Sequence, residues 1–287
     1  MTPRVQAFLH GPSNTWTYLV SERDGGEAAV IDPVRDFDPK SGRTSFASAG
    51  RVLDAIRAAN LRVTWILETH AHADHLSAAP WLKQQLNGAR IAIGEGIRAQ
   101  QQRFAPVFGF GPEFACDGSQ FDHLFAPGER FSLGALVGEA IATPGHTDDS
   151  MSYLIGDALF TGDSLFLPDS GTARCDFPGG DAATLYRSVQ RLYALPDDTR
   201  VFVCHDYGPA GRELRCETTI GEQKRENIHV RLGVAEAEYV RMRRERDATL
   251  DMPALLLPAV QVNLRAGELP PADSNGTHYL RLPLDRF

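Results

Sequence analysis

The chain has 287 residues, 43% apolar and 23% charged, with four cysteines and a formal charge of −8. A chain of this length buries about three quarters of the surface its unfolded form exposes, which excludes disorder, collagen-like repeats and a disulfide-stapled miniature scaffold. The acidic balance weighs lightly against nucleic acid and towards small molecules or other proteins, because phosphate binding draws on clustered Lys and Arg.

The first residues show no cationic stretch followed by an apolar run, and no segment of about 18 apolar residues occurs. The expectation is therefore a soluble, cytoplasmic protein with no membrane partner. Cys116, Cys175, Cys204 and Cys216 form no CxxC pair and read as reduced thiols. Strands are expected at Val5–His10, Thr15–Val20 and Ala28–Ile31, separated by Gly-Pro-Ser-Asn and Glu-Arg-Asp-Gly-Gly. A helix follows over Ser48–Asn60, then a strand at Val63–Leu67 and a helix over His75–Leu86. Ala89–Ile93 reads as extended and Ile97–Phe108 as helical, with strands at Arg130–Leu133 and Ala140–Thr143. Ser152–Ile155 and Ala158–Thr161 bracket Gly156-Asp157, a hairpin signal. Asp181–Tyr193 is a helix stopped by Pro196, and Val201–Cys204 a buried strand. The stretch from Glu213 to about Thr249 is charged and helix-favouring, and Pro253–Phe287 reads as an irregular surface tail. One domain with a C-terminal elaboration over about 213–287 is the expected organisation, without internal repeats.

The chemistry concentrates in Glu68-Thr69-His70-Ala71-His72-Ala73-Asp74-His75, between a strand and a helix. In extended backbone, residues two apart share a side, so His70 and His72 can face one point while Asp74 and His75 reach a neighbouring one. Such a set of nitrogen and oxygen donors suits a first-row metal. An ordinary polar loop with Asp74 as a helix cap does not call for three histidines. His146 in Thr-Pro-Gly-His-Thr, Asp163 in Thr-Gly-Asp-Ser and His205 in Cys-His-Asp-Tyr each follow an expected strand. All the candidate ligands thus sit at or beyond strand ends, where loops on a rigid sheet carry sites.

His-x-His-x-Asp-His, Thr-Pro-Gly-His-Thr, Gly-Asp and a late His resemble the metallo-β-lactamase superfamily over about Val5 to His229. The resemblance implies an α/β fold, a four-layer αββα sandwich with the metal site at one edge of two sheets. Gly171-Thr-Ala-Arg-Cys-Asp-Phe177 and His205-Asp206-Tyr207 are similar to the bacterial persulfide dioxygenases. That implies one Fe(II) held by His70, His146 and Asp163, oxidising glutathione persulfide with O₂ to sulfite and glutathione. His72, Asp74, His75 and His205 then orient ligands or bound water, with Asp74, His75 and His205 taking part in catalysis. The same residues also complete a two-zinc thioester hydrolase of glyoxalase II type. There His70, His72 and His146 hold one metal, Asp74, His75 and His205 the other, and Asp163 bridges them. The Arg174 passage favours the dioxygenase.

A ribonuclease of this superfamily would carry a large insert before its last ligands, and only 41 residues separate Asp163 from His205. Arg174 can fork a substrate carboxylate or pair with Asp176. Tyr207 can hydrogen-bond the substrate or simply pack its ring. Cys175 reads as an unreactive buried thiol, Asp169 and Asp181 as turn or cap residues, and Arg212, Arg215, Lys224 and Arg225 as a solvated helix face. Homodimerisation is left open.

Overall fold

The structure, a computed structural model, describes residues 2–286. Strands β1 (Arg4–His10), β2 (Thr15–Ser21) and β3 (Glu27–Ile31) form the expected antiparallel meander. They are followed by β4 (Val34–Asp38), β5 (Arg43–Ser45), helix α1 (Ala47–Ala58), β6 (Arg62–Leu67), β7 (Leu76–Ser77) and α2 (Ala79–Gln85). Next come β8 (Arg90–Gly94), α3 (Ile97–Phe108), β9 (His123–Phe125), β10 (Glu129–Leu133), β11 (Leu136–Ala142), β12 (Met151–Ile155) and β13 (Ala158–Phe160). The chain continues with α4 (Ala182–Leu192), β14 (Arg200–Phe202), β15 (Glu217–Thr219), α5 (Ile220–Glu226), α6 (Glu236–Asp247) and α7 (Leu256–Asn263).

One six-stranded sheet has the order β1-β2-β3-β6-β8-β9 and the other β10-β11-β12-β13-β14-β15. Alternation along the strands decides the layers, since successive side chains point to opposite faces. From β2, β3 and β6, Tyr18, Val20, Ala29, Ile31, Trp65 and Leu67 point inward and meet Phe131, Tyr153, Phe160 and Phe202 of the second sheet. Their neighbours Leu19, Ala28, Val30, Val63 and Ile66 point outward under Val52 and Ile56 of α1 and Phe104 of α3. On the opposite outer face, Leu159 and Val201 carry Leu185, Val189 and Leu192 of α4 and Tyr239 of α6. The result is a four-layer αββα sandwich. No helix among the described residues is long and apolar enough to cross a membrane.

Three expectations are corrected. The helix expected to start at His75 starts at Ala79, because Leu76–Ser77 pairs with Val34 and Arg35 as a short strand and Pro80 occupies the first turn of α2. The stretch from Glu213 to Thr249 is not continuously helical: β15 adds an edge strand, Thr219 caps α5 by accepting from the Glu222 amide, and α6 is separate. The region from Pro253 contains α7, whose Leu256, Ala259, Val260 and Asn263 recur at helical spacing and are buried. Pro258 lies in its first turn, where a missing amide hydrogen costs nothing, and it masked the helix in the sequence.

Candidate metal centre

Loops from both sheets converge at one edge of the sandwich. His70 follows β6, His146 follows β11, Asp163 follows β13 and His205 follows β14. Two glycines permit the approach. Gly145 has φ +139° with the backbone of Leu185 where a Cβ would stand, and Gly162 has φ +50° with the Thr69 side chain there.

His70, His146 and Asp163 are 2%, 4% and 8% exposed, and each offers a ligand atom within 4.8 Å of the others. The Nδ1–H of His146 donates to the Arg174 carbonyl at 2.7 Å, leaving Nε2 facing Asp163 Oδ2 at 3.6 Å. The Thr69 hydroxyl donates to Asp32 at 2.9 Å and lies 3.0 Å from His70 Nδ1, so Nε2 of His70 is again the inward atom. His205 donates from Nδ1 to the Asn14 carbonyl at 3.2 Å and turns Nε2 to within 3.2 Å of Asp163 Oδ1. In each case the outer contact fixes the ring, which is how imidazole ligands are oriented.

His72, Asp74 and His75 form a second group within 4.8 Å. His72 Nε2 is 2.9 Å from Asp32 Oδ1, while Asp74 Oδ2 receives Nδ1 of His75 at 3.1 Å and the Thr15 hydroxyl at 3.1 Å. Burial disfavours charge on all these groups, yet Asp32 and Asp74 raise His72 to about 9, and His205 with His146 and His70 holds Asp163 well below the usual carboxylate range. Burial and the nearby Asp32 push Glu68 up to about 8.

Buried polar atoms are normally hydrogen-bonded. Here His70 Nε2, His72 Nδ1, His75 Nε2 and Asp163 Oδ1 are buried without a hydrogen-bond partner, so the donor set fits a metal ion that would complete them.

A cavity of about 470 Å³ opens from His146, Asp163, Asp74 and His205 between Phe166, Phe177, Tyr207, Ile228 and Pro253. Arg174 lines it, but its Nε and Nη2 both pair with Asp176 at 2.6 Å, Nη1 donates to the Asp251 carbonyl, and its plane covers Phe177. Of its two readings, the bidentate pair with Asp176 is the one present. Tyr207 is 59% exposed at the cavity mouth, its ring near-parallel to that of His205. Cys175 is buried and burial pushes its thiol up, as an inert thiol requires. Asp181 caps α4 through the Thr184 amide. Arg212 is not on a helix face: it forks both buried Asp206 and Asp169.

Three supporting residues were not singled out from sequence. Asp32, at φ +49°, accepts from the Thr69 amide and hydroxyl and faces His72. Thr15 touches Asp74 and His75. Asn263 of α7 donates to the carbonyls of both His72 and His75 at 2.8 Å and accepts from the Ser77 amide at 2.9 Å. Only Asp32 carried a signal, a carboxylate directly after a strand and before Pro33.

A buried imidazole and carboxylate cluster at the loop edge of an αββα sandwich defines a metal-dependent enzyme. Residues 10–205 match the family model of the metallo-beta-lactamase superfamily, and the chain belongs to that superfamily. It is 50% identical to a probable metallo-hydrolase of Burkholderia pseudomallei over 98% of this chain and 99% of that protein. A beta-lactamase hydrolase-like protein of Agrobacterium fabrum is 49% identical over 99% of this chain, which spans only 65% of that protein's length. Human persulfide dioxygenase ETHE1 is 29% identical over 89% of this chain and 85% of its own. Among solved structures, ETHE1 from Myxococcus xanthus superposes with a TM-score of 0.72 and 32% identity, covering 93% of this chain and all of that one.

Proposed function

We propose that the chain is a persulfide dioxygenase that binds one Fe(II) through His70, His146 and Asp163 and oxidises glutathione persulfide. The observation that carries this reading is the division of labour at the centre. Two imidazoles and one carboxylate, His70, His146 and Asp163, bring ligand atoms together, whereas in the second group the carboxylate of Asp74 already accepts from His75 Nδ1 and the Thr15 hydroxyl, leaving His72 Nδ1 and His75 Nε2 as its free atoms. Two histidines and a carboxylate on one face of iron leave open positions for a substrate and O₂. The likeness to the ETHE1 proteins supports the same reading.

When bound, Fe(II) supplies the electrons that activate O₂. The chain's own residues do the rest. Phe166 and Phe177, both buried, line the cavity with apolar surface that keeps water from the metal centre. Tyr207 faces the substrate at the mouth, and Arg174, paired with Asp176, fixes the wall and holds His146 through its carbonyl. Asp74, His75 and His205 orient water and carry protons. The overall change is RSSH + O₂ + H₂O → RSH + SO₃²⁻ + 2H⁺. The reading treats the chain as one domain that includes the 213–287 elaboration.

The second reading is a two-zinc thioester hydrolase of glyoxalase II type, with glutathione thioesters as substrates. It is favoured by the hydrolase names of the relatives at 49–50% identity and by the presence of the second ligand group. Metal analysis of protein produced without added zinc, with an oxygen electrode, separates the two. One iron per chain and O₂ uptake with glutathione persulfide are expected. Two zincs per chain, no O₂ uptake and hydrolysis of S-lactoylglutathione would overturn the dioxygenase reading.

A further inference from the structure

We propose that Asn263 is a positioning residue of the metal centre: from helix α7 it sets where His72 and His75 stand, and leaves His70, His146 and Asp163 to other supports. Asn263 lies beyond residues 10–205, the part of the chain that matches the family model. It shares the buried stripe of α7 with Leu256, Ala259 and Val260 and is 5% exposed, so its amide must find partners inside the protein. An Asn amide offers two N–H donors and one carbonyl acceptor. Both donors go to the loop after β6, to the carbonyls of His72 and His75 at 2.8 Å each, and Oδ1 accepts from the Ser77 amide at 2.9 Å. Ala259 and Val262 of the same helix pack on Leu76, between these contacts.

The loop has little else to give it shape. Among the described residues, His72, Ala73, Asp74 and His75 make no backbone–backbone hydrogen bond. Regular pairing resumes at Leu76, opposite Arg35, and at Ala78, whose amide donates to the Pro33 carbonyl at 2.8 Å. Side chains from three separate parts of the fold hold the loop instead. Asp32, after β3, accepts from the Thr69 amide at 2.7 Å, and Asp149, before β12, accepts from the Ala71 amide at 2.7 Å, which fixes the half that carries His70. Asp32 also reaches the ring of His72, but the backbone of the second half is bonded by Asn263. His70 is set by the Thr69 hydroxyl and His146 by the Arg174 carbonyl, and neither support touches Asn263.

The rings of His72 and His75 lie 4.1 Å apart, and both residues hang from carbonyls that the one amide grips, so a shift of this half of the loop moves the two together. The inference rests on the proposed function in taking His70, His146 and Asp163 as the ligands of the resident metal. His75 then serves turnover and not metal retention, and releasing the grip costs rate while the ion stays. A misplacement of about 1 Å, caused away from the reacting atoms, is enough for a loss of that kind.

Asn263→Leu keeps the shape of the side chain but removes both donors and the acceptor, and Asn263→Ser, a milder change, serves where the first does not fold. Gln261→Met is the control: Gln261, 1% exposed on the same helix, spends its amide on the Leu257 and Arg281 carbonyls and the Arg281 amide, away from the loop. In the full chain loaded with one equivalent of Zn(II), the ring-nitrogen NMR signals of His72 and His75 should move in the Asn263 variants and those of His70 and His146 should stay. None of the four should move in the control. Elemental analysis should return one metal per chain throughout, and the iron-loaded Asn263 variants should lose about tenfold or more in kcat with KM unchanged. Unmoved His72 and His75 signals, equal movement of all four, the same movement in Gln261→Met, or wild-type kcat would overturn the positioning role. If the wild-type protein turns over no persulfide, the proposed function fails, and the four ring signals and the metal content still decide what Asn263 holds.

Discussion

On the sheet side of the cavity, His70 Nε2, His75 Nε2 and Asp163 Oδ1 face inward with no hydrogen-bond partner. On the helical side, Arg174 closes on Asp176, Arg243 on Asp247 and Arg212 on Asp206 and Asp169. An unsatisfied buried polar group costs about 1–3 kcal/mol, so the sheet side bears a cost that a bound cation relieves. The helical side carries its own neutralisation. Arg243, 1% exposed, also donates to the Thr172 carbonyl, and Asp247 accepts from the Cys175 amide. Those contacts hold the loop whose Arg174 carbonyl orients His146. One wall is thus left incomplete for an ion, and the other is finished so that it stays in place.

The largest expected effect separates the two ligand groups on the sheet side. Asp163→Ala should abolish stoichiometric metal binding, whereas His75→Ala should keep one iron per chain, as read by elemental analysis after dialysis. Equal loss in both variants would erase the distinction between the groups. Next is the finished wall. Arg243→Met leaves Asp247 buried without its partner and should cost about 3–5 kcal/mol in denaturant unfolding, far more than a surface ion pair.

The smallest effect concerns His229, which sits under the same wall. Burial, with Arg243 and Arg246 nearby, lowers it to about 4, and its Nδ1 accepts from the Thr172 amide. It is therefore neutral when folded, and the unfolded chain binds its proton first as pH falls. Stability from this group is complete above about pH 6.5 and is lost on descent towards pH 4, by about 2 kcal/mol at pH 5. His229→Asn should flatten that part of the stability profile. An unchanged slope in thermal or denaturant unfolding would show that His229 is solvated in solution.

The strand pattern was legible because alternation in Thr15–Val20, Ala28–Ile31 and Val63–Leu67 encodes two buried faces. The hairpin at Gly156 was legible because the turn residue needs φ +61°. The short strand Leu76–Ser77 was not, since two residues carry no period and only pairing with β4 defines them. Helix α7 was hidden because Pro258 within it and Pro253, Pro270 and Pro271 around it resemble a tail, and the burial that stabilises it comes from the first sheet's helical layer and from the metal loop.

By itself, the sequence determined which donor atoms this protein owns and that they lie after strands, because metal ligation demands particular residue types and strand ends are marked locally. It also determined the superfamily, since the spacing of His70 to His75 and the Gly-Asp and Pro-Gly-His steps is a local property. Tertiary structure alone decided which donors stay free and which are already engaged. Asp32, Asn14, Thr15 and Asn263 lie tens of residues or more from the histidines or Asp74 that they hold, and hydrogen bonds between such distant positions leave no period in the chain. The fate of Arg174 was settled in the same way: its guanidinium is closed by Asp176 beside it and by Asp251, which only the packing of the C-terminal region brings within reach.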